Sequence, residues 1–259
     1  MHYIKKIITC VVCLCFATII GLAGGGAEWG YEGKTGPDFW GSLSPDYALC
    51  SAGKAQSPIN IVDSVASKQN LRDIVFHYEP TQLHLLNNGH TLELEYEEGS
   101  SIEIDGIKYG LVQLHFHAPS EHTINGRQYD MEMHLVHKSA SSNLAVIGVM
   151  IRKGKENKAY EQLWSNLPAE KDKEASLNIK VNAEDLLPAN RLTYRYTGSL
   201  TTPPCTEGVS WNVLTTLIEF SQEQIDRFTE VLNQSCCTFN NRPVQPLNGR
   251  ELYRDTSKD

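Results

Sequence analysis

Three histidines near the middle of the chain have the type and spacing to do chemistry. His115 and His117 are separated by one residue, and His134 follows further along. Side chains alternate between the two faces of a β-strand, so the first pair shares a face, and a paired strand could bring His134 beside it. Three imidazoles leave one position of a tetrahedral zinc ion open for water, whereas structural sites usually have four protein ligands. The pattern predicts a catalytic zinc site.

Two polar residues support this interpretation by their positions. Gln113 and Glu132 each stand two residues before a candidate ligand, on the same strand face. An imidazole that binds a metal usually donates its second N–H to an acceptor that fixes its tautomer. A His-x-His pair alone would be weak, because alternating histidines also occur on half-buried faces. The third histidine and the two acceptors favour metal binding.

The amino-terminal segment 1–27 differs in composition from the rest of the chain. Lys5 and Lys6 precede an uncharged run from Ile7 to Ala23, and small residues follow. We interpret the segment as a secretory signal peptide, which predicts a secreted or periplasmic protein with a mature domain at 28–259. A retained membrane anchor is the alternative, because the apolar run is just short of the roughly 18 residues of a spanning helix.

Charge and cysteine content bound the partners and the compartment. Loss of the two lysines of the signal leaves 21 basic against 31 acidic residues, a net charge of −10, which argues against nucleic acid as a partner. Cys50, Cys205, Cys236 and Cys237 remain in the mature chain. Four cysteines of an exported protein permit three disulfide pairings, among which the spacing does not choose. No stable membrane anchor is expected after cleavage, and a homodimer is left open.

Short segments with alternating or β-branched residues dominate the mature chain and predict strands. The predicted strands are Thr91–Tyr96, Ser101–Ile104, Leu111–His117, Tyr129–His137, Leu144–Ile151 and Val209–Leu217. Two helices are predicted, Glu156–Asn166 and one that begins after Ser221, where Ser221 and Gln224 form a capping box. With 259 residues, 41% of them hydrophobic, and no internal repeat, the chain is expected to form one sheet-dominated α+β domain.

Several longer motifs accompany the histidines and carry a resemblance to a known family. They are Gln56–Ile61, Asn87–His90, Ser120–His122 and Gly198–Pro204. Read together with His115, His117 and His134, they make the chain similar to the α-class carbonic anhydrases, particularly the exported bacterial type. The resemblance extends from about Trp29 to Arg250. It implies a large, twisted, mainly antiparallel β-sheet with short helices at its periphery.

The resemblance also implies roles for the residues around the metal. His115, His117 and His134 would be the zinc ligands, with Gln113, Glu132 and the backbone carbonyl of Asn240 as the acceptors behind them. Thr201 would accept a hydrogen bond from a zinc-bound hydroxide and donate its own proton to Glu121, so that the hydroxide is held in its attacking orientation. The implied activity is the reversible hydration of carbon dioxide to bicarbonate and a proton, with ester hydrolysis as a side activity.

An apolar substrate needs an apolar surface beside the metal. By resemblance this wall is formed by Val136, Val146, Leu200, Val209 and Trp211, and Thr202 lies beside the same anion site. The spacing of Val209 and Trp211 places both on one strand face. Without the motifs, these residues would be interpreted as ordinary core.

His90 matches the proton shuttle of the family, a task suited to a histidine because its unperturbed pKa is about 6.5. An exposed turn histidine is the alternative. Tyr31 and Asn88 match residues that order active-site water, whereas Glu93 departs from the amide of many animal members. The remaining mature histidines, His77, His84, His122 and His137, are interpreted as structural or surface groups.

The resemblance further implies a disulfide between Cys50 and Cys205, which would tether the loop that carries Thr201. Cys236 and Cys237 are adjacent, and their state is left open. A noncatalytic binding module is the competing function, since some domains of this kind have lost metal ligands. The intact histidines, together with Glu121 and Thr201, argue against it.

Overall fold

A computed structural model describes residues 27–257. Apart from Ala27, the predicted signal peptide lies outside these residues. Within the described range, no helix is long and apolar enough to span a membrane. The described part contains fifteen strands, four α-helices and four short 3-10 helices.

The strands are β1 Asn60–Ile61, β2 Ser67–Gln69, β3 Val75–His77, β4 Thr81–Asn87, β5 Leu92–Glu95, β6 Ser101–Ile104, β7 Ile107–His117, β8 Thr123–Ile124, β9 Met131–Ser139, β10 Leu144–Lys153, β11 Lys173–Val181, β12 Thr193–Ser199, β13 Glu207–Leu214, β14 Ile218–Phe220 and β15 Tyr253–Asp255. The α-helices are α1 Trp40–Leu43, α2 Leu49–Ala52, α3 Glu161–Trp164 and α4 Gln222–Ser235. The 3-10 helices are Gly33–Thr35, Pro45–Tyr47, Lys158–Tyr160 and Ala183–Leu186.

One large sheet contains thirteen of these strands. Its main path runs β11, β4, β5, β7, β9, β10, β13, β12, β15, β2, while β14 pairs with β10 and β3 extends the edge through β6 onto β7. Most pairs are antiparallel, and the parallel ones are β10 with β13 and β14, and β15 with β2. β1 and β8 form a separate parallel pair. The predicted sheet-dominated α+β fold is confirmed.

All six predicted strands are present, and five of them have shifted ends. β6 has the predicted bounds, whereas β7 begins four residues early because the tight turn at Asp105 and Gly106, both at positive φ, starts the return strand directly. The strands that the sequence reading missed include β4, β11 and β12. β11 alternates intermediate and exposed residues at the edge of the sheet, which leaves it without a strong apolar signal.

The two faces of the central strands pack into different hydrophobic cores. Leu114 and Phe116 of β7 enter the largest hydrophobic core, together with Met133 and Leu135 of β9. The intervening side chains on β7 face the opposite side of the sheet, where a smaller core contains Val146, Val209 and Trp211 among others. Because β9 is covered on both faces, its register is strongly determined, and a shift by one residue would bury the wrong set of side chains.

Peripheral helices close the larger core. α4 has the predicted capping box, with Ser221 accepting from the backbone N–H of Gln224 and the Gln224 side chain bonding back. Its buried face, Ile225, Phe228 and Leu232, packs into that core as the spacing predicts. The predicted helix Glu156–Asn166 is shorter, a 3-10 turn followed by one turn of α-helix, because Tyr160 and Trp164 are anchored by bonds outside the helix.

The described residues contain two disulfides. Cys50 is bonded to Cys205, with a Cα–Cα distance of 5.1 Å and a sequence separation of 155, which confirms the pairing implied by resemblance. Cys236 is bonded to its neighbour Cys237, a pairing that the sequence left open. In the chain-entropy model a loop of the first length stabilises the folded state by about 4 to 5 kcal/mol at most. The bond therefore fastens the loop after β12 to the amino-terminal part of the domain.

Candidate metal centre

The three predicted ligands lie on two neighbouring strands. His115 and His117 are on β7, and His134 on β9 is the direct pairing partner of His115. One nitrogen from each of the three residues lies within 4.8 Å of the others. The ring centroids are separated by 5.0, 5.2 and 4.6 Å. The structure therefore brings these imidazoles together in an arrangement that could bind a metal ion.

Each ring donates its far N–H to a different acceptor. His115 Nδ1 bonds to Gln113 Oε1 at 2.8 Å, and His134 Nε2 bonds to Glu132 Oε1 at 2.8 Å. His117 Nδ1 bonds to the carbonyl oxygen of Asn240 at 2.6 Å. Since an amide oxygen, a carboxylate and a carbonyl only accept here, the bonded nitrogens carry the protons. Nε2 of the two histidines on β7 and Nδ1 of His134 are left with free lone pairs.

This donor set fits a zinc ion. Neutral imidazole nitrogens are ordinary zinc ligands, and the acceptors behind them supply the outer hydrogen bonds that such ligands usually have. His117 Nε2 is buried and has no hydrogen-bond partner among the described residues. A buried nitrogen of this kind is costly unless something binds its lone pair. A metal ion at the centre of the three rings would do so.

Burial favours the neutral form of the two ligands on β7. Burial, reinforced by the neighbouring imidazoles, holds the pKa of His115 well below its ordinary value. Burial also lowers the pKa of His117, partly opposed by the charge of Glu121. For Glu132, burial alone would raise the pKa, but the donors His122 and His134 hold it well below its usual range. His115 and His117 therefore offer uncharged nitrogens beside one ionised carboxylate, that of Glu132.

A second group, His122, Glu132 and His134, is also close enough to hold an ion. Its atoms are already used in hydrogen bonds, because Glu132 Oε1 accepts from His122 Nδ1 at 2.7 Å as well as from His134. His122 Nε2 bonds to the hydroxyl of Tyr196 at 2.6 Å. This group is a hydrogen-bonded support for the first, and His122 has a structural position, as the sequence reading predicted.

Glu121 lies directly beside the three histidines. Its Oε1 accepts from the backbone N–H of Arg242 at 2.8 Å, and its Oε2 lies 3.5 Å from His117 Nε2 and 4.0 Å from His134 Nδ1. Oε2 is buried without a hydrogen-bond partner among the described residues. The bond predicted between Thr201 and Glu121 is therefore not formed in this structure, although Thr201 is buried, 5% exposed.

The predicted apolar wall is assembled from three strands and the loop after β12. Val146 pairs with Val136 on one side and with Trp211 on the other. Leu200 packs against the same small core, which also contains Val209. The indole of Trp211 lies 4.9 Å from the ring of His134, centroid to centroid. An apolar surface thus adjoins the histidines.

The loop after β12 follows this wall. The Trp211 indole N–H donates to the carbonyl of Ser199 at 2.9 Å. The carbonyl of Thr202 accepts from the N–H of Cys205, a disulfide-bonded residue at positive φ. These bonds hold both ends of the segment that contains Thr201.

His90 is not a free turn histidine. Its ring stacks on Trp29, with centroids 3.8 Å apart and planes 7° apart, and its Nδ1 is buried without a partner among the described residues. Burial, aided by Lys171, lowers its pKa to about 4. The ring in this position is neutral at pH 7, in contrast to the value of about 6.5 on which the shuttle assignment relied.

The pKa values and hydrogen bonds of Tyr31, Asn88 and Glu93 differ from those of His90. Tyr31 is buried against Trp40, and burial with the charge of Glu121 raises the pKa of its hydroxyl. Asn88 donates to Glu93 Oε2 at 3.4 Å. Burial, with the nearby Glu95, raises the pKa of Glu93 to about 7. The residue that departs from the family pattern therefore carries a fractional charge near neutrality.

The sequence analysis missed several residues of this region. Trp29, the stacking partner of His90, was quoted only as the start of the resemblance. Arg242 was not considered, yet its buried guanidinium donates to Gln56 Oε1, to Ser57 O and to the carbonyl of Cys50. The sequence feature that could have identified Arg242 is its position two residues after Asn240.

Three histidines on a large twisted sheet, backed by outer acceptors and facing an apolar wall, define a metalloenzyme-type centre. The model of eukaryotic-type carbonic anhydrases matches residues 35–256. A carbonic anhydrase of Nostoc sp. is 44% identical over 86% of this chain and 84% of its own length. The α-carbonic anhydrase of Thermovibrio ammonificans, solved with sulfanilamide, has 45% identity and a TM-score of 0.85 over 88% of this chain and 100% of its own. The chain belongs to the α-class carbonic anhydrase family.

Replacing His134 with alanine should abolish stoichiometric metal binding, because two imidazoles and a neighbouring carboxylate would hold zinc far more weakly. The matched control is His84→Ala, since His84 lies outside the site between Glu95 and Glu174. Metal content after dialysis, measured by mass spectrometry, checks this, with circular dichroism as the test of folding. A folded His134→Ala protein that kept one zinc per chain would contradict the ligand set.

Proposed function

We propose that the protein is a zinc enzyme that interconverts carbon dioxide and bicarbonate. The observation that carries the proposal is the convergence of three imidazole nitrogens, with each ring fixed by an acceptor, beside an apolar wall. Zinc held by His115, His117 and His134 would make hydroxide available from water at neutral pH, an effect for which carbonic anhydrase is the reference case.

Orientation of the attacking oxygen is assigned to Thr201 and Glu121. A carboxylate oxygen accepts hydrogen bonds, so Glu121 Oε2 would accept from the Thr201 hydroxyl once the two groups come within bonding distance. The hydroxyl oxygen can then only accept from the attacking group, which sets the direction of its lone pair. The unpartnered Oε2 beside the histidines supports this assignment.

Binding of the substrate is assigned to the wall of Val136, Val146, Leu200, Val209 and Trp211. Carbon dioxide is apolar, so a surface that cannot hydrogen-bond favours it over water. Thr202, at the polar edge of the wall, would receive the anionic product. Hydrolysis of activated esters uses the same groups and is proposed as a side activity.

The decisive experiment measures carbon dioxide hydration by stopped flow with zinc-loaded, chelator-stripped and zinc-restored protein. The loaded and restored samples should accelerate hydration, and the stripped sample should not, since the histidines alone have no nucleophile to offer. Thr201→Ala should keep its zinc and lose activity on the order of 100-fold, whereas Thr201→Ser, which keeps the hydroxyl, should retain most of it. A zinc-loaded parent without activity would show a noncatalytic module.

Proton export is assigned to His90. In its stacked position the ring has a pKa of about 4 and is neutral at pH 7. Transient protonation near neutrality requires the ring to leave Trp29 and reach water, where its pKa rises toward the ordinary value of about 6.5. We infer that the stacked ring is the resting position and that the proton is carried from a more exposed one.

His90→Ala should slow turnover roughly tenfold or more in a bulky buffer and leave the steps on carbon dioxide unchanged. A small imidazole buffer that enters the cleft should restore most of the loss. Steady-state rates across buffer concentrations, with isotope exchange for the carbon dioxide step, check both parts. His84→Ala is the control for loss of a histidine. Parent-like rates for His90→Ala in every buffer would remove His90 from the mechanism.

We further propose that residues 1–27 are a signal peptide and that the mature domain, 28–259, is secreted or periplasmic. The Cys50–Cys205 disulfide supports export, because such bonds persist in oxidising compartments. The intact mass of protein recovered from the periplasm or medium of a producing cell should correspond to a chain that starts near Glu28. A mass that includes Met1 would contradict cleavage.

A further inference from the structure

A chain of buried hydrogen bonds continues beyond the acceptors of the metal centre. His122 joins Glu132 to the hydroxyl of Tyr196, with distances of 2.7 and 2.6 Å. That hydroxyl lies 2.8 Å from Ser57 Oγ. Ser57 in turn exchanges bonds with Ser199, whose N–H donates to Ser57 Oγ at 3.0 Å and whose Oγ accepts from the N–H of Ser57 at 2.9 Å.

All residues of this hydrogen-bond series are buried. Tyr196 is 4% exposed, and His122, Ser57 and Ser199 are 0% exposed. Water therefore does not replace a lost partner easily, and an unsatisfied group would cost the full penalty of its desolvation. This series of hydrogen bonds begins at Ser199, two residues before Thr201, and ends at Glu132, whose carboxylate accepts from His134.

The donor and the acceptor of each hydrogen bond follow from the groups at the two ends of the series. The Glu132 carboxylate accepts from two backbone N–H groups and from His134, and it is an acceptor toward His122 Nδ1 as well. In the tautomer of His122 with its N–H at Nδ1, Nε2 is an acceptor, and the Tyr196 hydroxyl donates to it. The Tyr196 oxygen is then an acceptor for the hydroxyl of Ser57, whose own oxygen accepts from the Ser199 N–H. This arrangement of protons satisfies all of these groups.

Packing leaves this arrangement little freedom. A Cβ atom added at Gly198 would lie 2.1 Å from Ser57 Oγ and 2.7 Å from Cε2 of Tyr196, so a glycine is needed for Ser57 to approach the ring. The ring of Tyr196 is parallel to that of Trp211, with 10° between the planes. The phenol is therefore confined by backbone on one side and by an indole on the other.

We propose that Tyr196 is a positioning residue for the metal centre. By donating to His122 Nε2, its hydroxyl fixes the ring that donates to Glu132, and Glu132 then holds His134 with its Nδ1 lone pair facing the other two ligands. The hydrogen bonds through Ser57 and Ser199 connect His134 to the segment that carries Thr201. The inference rests on the proposed zinc site and extends it by three residues to which no role was assigned.

A purely architectural role for Tyr196 makes a different prediction. If the hydroxyl served only the fold, its removal would lower the free energy of unfolding and leave the zinc ligands as they are. If it positions His134, removal leaves His122 Nε2 buried without a donor, and the support of Glu132 loosens. Zinc should then dissociate faster from a protein that is still folded.

The test compares zinc release into excess EDTA from zinc-loaded parent, Tyr196→Phe and Tyr194→Phe. Tyr194 is the matched control, since it lies on the same strand, is 6% exposed and donates to Asp63 at 2.7 Å, away from the histidines. Release from Tyr196→Phe should be on the order of tenfold faster, the usual effect of losing an outer partner of a metal ligand. Release from Tyr194→Phe should match the parent.

Parent-like release from folded Tyr196→Phe, or equal acceleration in Tyr194→Phe, would overturn the proposal. If Tyr196→Phe does not fold, Ser57→Ala replaces it, because this variant leaves the phenol in place and removes its partner Ser57 Oγ, which is also the acceptor of the Ser199 N–H. It should release zinc a few-fold faster, and parent-like release would again overturn the proposal. A parent that bound no zinc at all would instead refute the proposed function, so the two failures are distinguishable.

Discussion

Each of the three imidazoles at the candidate metal centre donates one N–H to a fixed acceptor. The rest of the structure depends on holding these three acceptors in place. Without it, the tautomers of three adjacent histidines would be free to vary, and their lone pairs would not converge. The three acceptors come from different places: a side chain on β7, a side chain on β9, and a backbone carbonyl in the segment after α4. Only a sheet that fixes the register of two central strands, and a chain end folded over it, can supply all three.

The same arrangement places two carboxyl groups where burial is costly. Glu121 and Glu132 are almost fully buried, and burial of a carboxylate is tolerated only with strong donors around it. Glu132 accepts from two backbone N–H groups and two imidazoles, so it has little freedom to do anything else. Among the described residues, Glu121 has one oxygen with a donor and one without, and Arg242 provides the nearby positive charge. Glu132 is thus fully used as a support, whereas Glu121 keeps an oxygen that can accept a further hydrogen bond.

Much of the fold was predictable because its central strands carry strong local signals. The six predicted strands alternate or are β-branched, and the capping box of α4 is a pattern of four residues. The missed strands lie at the edge or are defined by their partners: β12 is held between β13 and β15, and its own sequence mixes polar, aromatic and glycine residues. For such segments tertiary pairing overrides local preference.

The sequence by itself determined the chemistry at the level of residue types. Three histidines at strand spacing, with acceptors two residues before two of them, are enough to indicate a metal site, because strand periodicity is local. Only the tertiary structure decided which nitrogen of each ring is free, that His90 stacks on Trp29 and that, among the described residues, Glu121 keeps an oxygen without a donor. These properties depend on contacts between residues far apart in the chain and on exclusion from water. Neither is encoded in the spacing of a motif, because both arise only when the sheet has formed and its ends have packed over it.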